Sequence, residues 1–145
     1  MKYESLHNLI RDTLGAIDVD TYFYHGSEYN LNSEAKERYP LVWLNPSETS
    51  LSFINDSRTS DVNSVVMLFL DLDKVNGDST KSNSIVFEMD KLARKFIMDL
   101  NVRVQDIDVV IEGVRISPFI KVKASVLTGV ILRFNLTAPD DVEYC

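Results

Sequence analysis

Apolar and polar positions divide the chain into elements of two periods. In residues 3–17, Tyr3, Leu6, Ile10, Thr13, Leu14 and Ile17 fall on one face at helical spacing. Glu4, Asn8 and Arg11 fall opposite, and Gly15 marks the weakening last turn. Residues 18–39 follow no period, although Tyr22, Phe23, Tyr24 and Tyr29 need burial in a short strand, a loop on the core or a subunit contact. Pro40–Leu44 and Ser50–Ile54 read as short strands. Val62–Leu72 reads as a central strand covered on both faces, because Val65 to Leu70 is apolar without interruption. Two polar loops are expected around it, Asn55–Asn63 and Asp73–Ser84, the second with an Asn76-Gly77 turn.

The pattern then changes to a second helix over Ser84–Leu100, with Val86, Met89, Ala93, Phe96, Ile97 and Leu100 as its apolar stripe. Asn83 or Ser84 would cap it. Phe87, Lys91, Arg94 and Met98 share a different line along the same helix, outside the core stripe. Large apolar groups mixed with basic stems suit a subunit contact, or a surface packed under a loop. Three more strands are expected: one around Ile107–Ile111 broken by Gly113, one over Ile116–Ala124 that Pro118 assigns to an edge or bulge, and one from Gly129 to Pro139. In the last, Val130, Leu132, Phe134 and Leu136 alternate with Ile131, Arg133, Asn135 and Thr137. The expected fold class is α+β: a mostly antiparallel sheet of about six strands with two helices on one face.

Composition narrows the function classes. At 145 residues the chain suits one domain with an adequate core. Its net charge of −7 argues against a grip on nucleic acid, which needs clustered positive charge. The single cysteine, Cys145, excludes an internal disulfide and suits a reducing compartment. No signal-like segment opens the sequence, and no apolar run nears the ~18 residues of a spanning helix. A protein with no membrane association, made in a cytoplasm, is expected.

Few residues are arranged for chemistry. Asp71 and Asp73 sit on one side of a strand end and could hold Mg²⁺ in a small α+β enzyme. With Asn76, Gly77 and Asp78 they superficially resemble a calcium loop, but Val75 and Asn76 stand where its ligand and glycine belong, and Ser82 where its glutamate belongs. The two histidines, His7 beside the apolar face of the first helix and His25 before Gly26, have no metal-ligand spacing. The five glycines form no phosphate-binding loop. No catalytic residue, cofactor site or metal site is expected. An exposed strand edge leaves open a third reading, a cytoplasmic adaptor that binds a peptide.

The order of elements and the ending Leu127-Thr128-Gly129-Val130-Ile131-Leu132-Arg133-Phe134-Asn135-Leu136-Thr137-Ala138-Pro139-Asp140-Asp141 resemble the tail-completion or tail-terminator proteins of tailed bacteriophages. The final strand with its acidic, aromatic tail is similar to proteins of phages that infect Bacteroidetes, crAss-like phages among them. The resemblance implies a structural virion protein of the head–tail neck, assembled in the host cytoplasm. It would form a cyclic homo-oligomer of six subunits that completes the tail tube and joins it to connector and portal-side proteins. DNA would pass through the bore without being bound, helped by negative charge. On that reading Tyr22, Phe23, Tyr24, Phe87, Lys91, Arg94 and Met98 contribute subunit contacts, while Asp140, Asp141 and Glu143 face the lumen or an adjoining ring. The polar loops 55–63 and 73–84 would dock on the layers above and below.

Overall fold

The computed structural model describes residues 1–18, 20–26, 40–45, 48–56, 58–73, 79–119 and 127–139. Its first element, α1 (Tyr3–Ile17), follows the predicted boundaries and buries Leu6, Leu9, Ile10, Thr13 and Leu14 along one face. Thr13 is tolerated there because its hydroxyl donates to the Leu9 carbonyl at 2.7 Å, which pairs its buried polar atom. Tyr3, counted on the apolar face, is exposed instead, since it lies at the helix start where the covering layer ends.

Among the described residues, four strands precede the second helix: β1 (Tyr22–His25), β2 (Leu41–Leu44), β3 (Glu48–Asn55) and β4 (Arg58–Leu72). The helix α2 (Ser79–Arg103) leads through a 3-10 turn, Val104–Asp106, into β5 (Val110–Phe119) and β6 (Leu127–Pro139). All six strands form one sheet in the order β1-β2-β4-β6-β5, with β3 also beside β4. Among the described residues only β1 and β2 run parallel, and every other pairing is antiparallel. The fold is α+β, with both helices on one face of a mostly antiparallel sheet.

Strand periodicity sorts the core into two layers. Val65, Met67 and Phe69 of β4 join Val130, Leu132, Phe134 and Leu136 of β6 beneath the helices. Phe96 of α2 holds this layer together, its ring centroid 5.9 Å from Phe69 and 6.4 Å from Phe134. On the outer face Leu41, Leu68, Leu70 and Tyr24 are buried, with Tyr22, Trp43, Val66, Phe119 and Ile131 packed around them. The apolar run of β4 is thus split between two clusters, as expected of a strand covered on both sides.

Three expectations need correction. The polar loop expected over 55–63 is mostly strand: β4 begins at Arg58, because residues 58–64 pair with β3 on one edge and residues 60–64 with β6 on the other. Backbone pairing on two edges overrides the weak strand preference of Ser and Asp. The second helix begins at Ser79, so Asn83 and Ser84 are interior residues and not caps. Finally, Gly113 does not divide two strands. It sits at φ +64 in a bulge within a continuous β5, where the register shifts between Glu112 and Arg115. The strand total survives because β1 adds one before α2 while β5 absorbs another after it. The Asn76-Gly77 turn, Tyr29 and the expected strand residues 120–124 lie outside the described residues.

Candidate functional site

The helix α2 packs chiefly against β6 and α1, and less extensively against β4 and β5, with Ile85, Met89, Ala93, Phe96 and Leu100 in the core. At 100° per residue, Phe87, Lys91, Arg94 and Met98 point directly away from that stripe. The sequence pattern sets these four outside the core stripe; the structure turns them fully outward, with Ile85 buried on the opposite side. Phe87 is 62% and Met98 71% exposed, so neither packs under a described loop. Val102, one turn beyond Met98, extends the line and is also exposed. Lys91 pairs with Glu88 at 3.2 Å and Arg94 with Asp90 at 2.9 Å, both on the same helix. Such exposed pairs add little stability and keep the apolar line flanked by solvated charge.

A second exposed apolar group lies on the β3–β4 hairpin. Leu51 pairs with Asp61 and Phe53 with Thr59, so both side chains point to the helix side of the sheet. The helical layer reaches only as far as Asp61. There the Met1 α-amino group donates to Asp61 Oδ2 at 2.9 Å, the Asn63 amide donates to the Met1 carbonyl at 3.3 Å, and the Thr49 hydroxyl donates to Asn63 Oδ1 at 2.7 Å. Beyond this polar seam Leu51 is 60% and Phe53 80% exposed. The sequence showed their alternation but not their exposure. The signal was the polar composition of the facing segment Arg58-Thr59-Ser60-Asp61, which gives an apolar partner nothing to pack on.

The aromatic segment is the edge strand β1. Tyr24 is buried in the outer cluster, and Tyr22 is half-buried beside it. Phe23 turns to the helix side, its ring 5.4 Å from that of His7. The Trp43 indole N–H donates to the Gly26 carbonyl at 2.8 Å and ties the end of β1 to β2. As expected subunit contacts, Tyr22 and Phe23 keep part of their surface accessible, while Tyr24 is committed to the chain's own packing. Asp140, Asp141 and Glu143 lie outside the described residues.

The two carboxylates at the end of β4 have separate surroundings. Asp73 is buried, its Oδ2 accepting from the Ser82 hydroxyl at 2.5 Å and the Thr128 hydroxyl at 2.9 Å. It therefore joins the first turns of α2 to the start of β6. Asp71 is half-buried and borders a 430 Å³ cleft shared with Asp18, Glu88, Lys91 and Lys95. Among the described residues, no group of three or more His, Cys, Asp or Glu side chains is placed to hold a metal ion.

The two histidines meet across α1 and β1, Nδ1 to Nδ1 at 2.8 Å. Their rings stack with centroids 5.0 Å apart. Burial lowers the pKa of His7, with Arg11 adding to the effect and Asp12 opposing it. Burial also lowers that of His25, reinforced by His7. One ring must accept the hydrogen bond, so the contact needs at least one neutral imidazole.

No family model matches the chain, and no curated protein matches it. No described helix is long and apolar enough to cross a membrane.

Proposed function

We propose that this chain is a structural assembly protein that closes into a homo-oligomeric ring through head-to-tail contacts. The observation that carries the proposal is the pair of exposed apolar surfaces on opposite lateral halves of the sheet. Phe87, Met98 and Val102 line α2, which packs chiefly over β6. Leu51 and Phe53 lie on β3, paired to the opposite edge of β4. A heterologous contact joins two different patches, and a set of such contacts closes into a ring when the rotation between copies permits. Large exposed apolar groups of this kind mark interaction surfaces.

The resemblance to tail-completion proteins supports placing such a ring at a phage head–tail neck, with six copies around a DNA channel, between the tail tube and the connector. A net charge of −7 favours passage of DNA without retention. The ring would act by shape: it completes one layer and presents a surface to the next.

Native mass spectrometry of the purified chain tests this with two variants, Phe53→Asp and Met98→Asp. Each alone is expected to remain monomeric, because every copy lacks one of its two surfaces. Mixed in equal amounts they are expected to yield dimers and nothing larger, since one intact junction survives per pair. Monomers of the unmodified chain at all concentrations, with neck partners present, would overturn the reading.

A further inference from the structure

We infer that the outer face of the sheet carries a binding site for a small phosphate-type oxyanion between Arg115 and Arg133. The two arginines are direct cross-strand partners on β5 and β6. Like charges placed opposite one another on a sheet repel. Neither has a carboxylate partner among the described residues. Every other described lysine and arginine has an ion-pair, hydrogen-bond or electrostatic partner, as in Arg11 with Asp12 and Arg103 with Asp99. In a chain of net charge −7, two adjacent unmatched guanidiniums are a local exception.

The bulge creates this arrangement. Glu112 faces Asn135, and Arg115 faces Arg133, so Gly113 and Val114 together oppose the single residue Phe134. In a regular ladder Arg115 would oppose Leu132 and point beneath the helices. The extra residue turns it outward beside Arg133 and leaves Ile116 opposite Leu132. Gly113 supplies the positive φ that the bulge requires.

A recess of 140 Å³ lies over this point, lined by Ser64, Gly113, Arg115, Arg133 and Asn135 among others. Ser64 and Asn135 are themselves a cross-strand pair next along the ladder, and bring a hydroxyl and an amide to the same side as the guanidiniums. The Asn135 amide nitrogen lies 3.7 Å from where a Cβ on Gly113 would stand, so the amide leans over the bulge. Glu112, opposite Asn135, and Glu48, opposite Ser64, share this face at the adjoining rung, so the ligand is selected by the geometry of the two guanidinium forks, which suits a tetrahedral oxyanion. The recess is far below the ~300 Å³ at which sites for larger organic ligands begin, which selects a single phosphoryl group over a nucleotide.

Calorimetric titration of the full chain with inorganic phosphate, phenyl phosphate and acetate, at matched ionic strength, tests the site. Saturable binding of phosphate to one site per chain is expected. Arg115→Gln and Arg133→Gln should each weaken it roughly tenfold or more, the loss expected when a charge-assisted hydrogen bond is removed. Arg11→Gln, which removes a guanidinium already paired with Asp12 on α1, should leave it unchanged. Circular dichroism of each variant confirms the fold, and Arg115→Lys should retain part of the affinity. Binding of phenyl phosphate as well as phosphate would identify a phosphate monoester as an acceptable source; binding of phosphate alone would identify the free ion. A flat phosphate titration, equal response to acetate, or unchanged affinity in both glutamine variants would overturn the assignment. The site does not depend on the ring, so either proposal can fail alone.

Discussion

His7 on α1 and His25 on β1 share a 2.8 Å hydrogen bond between their Nδ1 atoms, and the pair joins the first helix to the edge of the sheet. Both bind a proton less tightly in the folded chain than at the ordinary imidazole value of 6.5, chiefly through burial. Their contribution is therefore complete above that value and is lost as pH falls through the lower folded values. Double protonation also places two cations in contact and removes the accepting nitrogen. The melting temperature should fall on acidification from about pH 7 to about pH 5, and His25→Gln should flatten that dependence. An identical slope in the variant would show that other groups control the acid response.

Phe96 should be the costliest truncation in α2. Its ring is fully buried and touches both central strands through Phe69 and Phe134. Phe96→Ala should lower stability by about 3–5 kcal/mol, the range for a buried phenylalanine that leaves a cavity. Urea denaturation measures this directly. Phe87→Ala, on the exposed side of the same helix, should change the isolated chain by less than about 0.5 kcal/mol.

Gly129 tests backbone proximity. A Cβ at this position would collide with the Phe69 carbonyl oxygen on β4. The obstacle is backbone, so no rotamer change relieves it. Gly129→Ala should destabilise by about 1–3 kcal/mol, as overpacking does, despite the better intrinsic strand preference of alanine. A neutral or stabilising effect in thermal melts would show that β4 and β6 can separate locally at little cost.

Asp73→Ala removes the acceptor shared by Ser82 and Thr128. Two buried hydroxyls lose their partner, and the expected loss is about 1–3 kcal/mol. If Asp73 instead served a metal-dependent reaction, adding Mg²⁺ would raise the melting temperature of the unmodified chain and not of the variant. A melting temperature independent of Mg²⁺ is the expected outcome.

Local pattern revealed what local chemistry controls. The stripe of α1 and the alternation of Val130, Leu132, Phe134 and Leu136 were legible, because each buries one face against one layer. The start of β4 was not legible. Arg58, Ser60 and Asp61 carry little strand preference; Arg58 is strand because β3 pairs it on one edge, and Ser60 and Asp61 because β3 and β6 flank them on both. The first turn of α2, Ser79 to Ser82, was hidden for a related reason: its polar side chains read as loop, while Ser82 is fixed by Asp73, nine residues earlier. Phe87, Lys91, Arg94 and Met98 were separable from the core stripe by angle alone, but Arg115 was not recognisable beside Arg133. Their adjacency depends on a one-residue bulge that shifts every side chain beyond it to the other face.

The pairing of Ser60–Leu72 with Leu127–Pro139 has a consequence for how the chain reaches its native state. The most apolar strand waits for a partner that arrives only after an entire helix and another strand have been made. Until then the Val65–Leu70 segment presents an open edge of unsatisfied amides, the kind of template on which chains aggregate. Pairing over such sequence separation is slow to nucleate. Early packing of α2 against β4, through Phe96 on Phe69, would shield one face of that strand during the interval. The long helix between the two central strands would thus hide the inner face of β4 before its last partner arrives, leaving only the edge to be closed by β6.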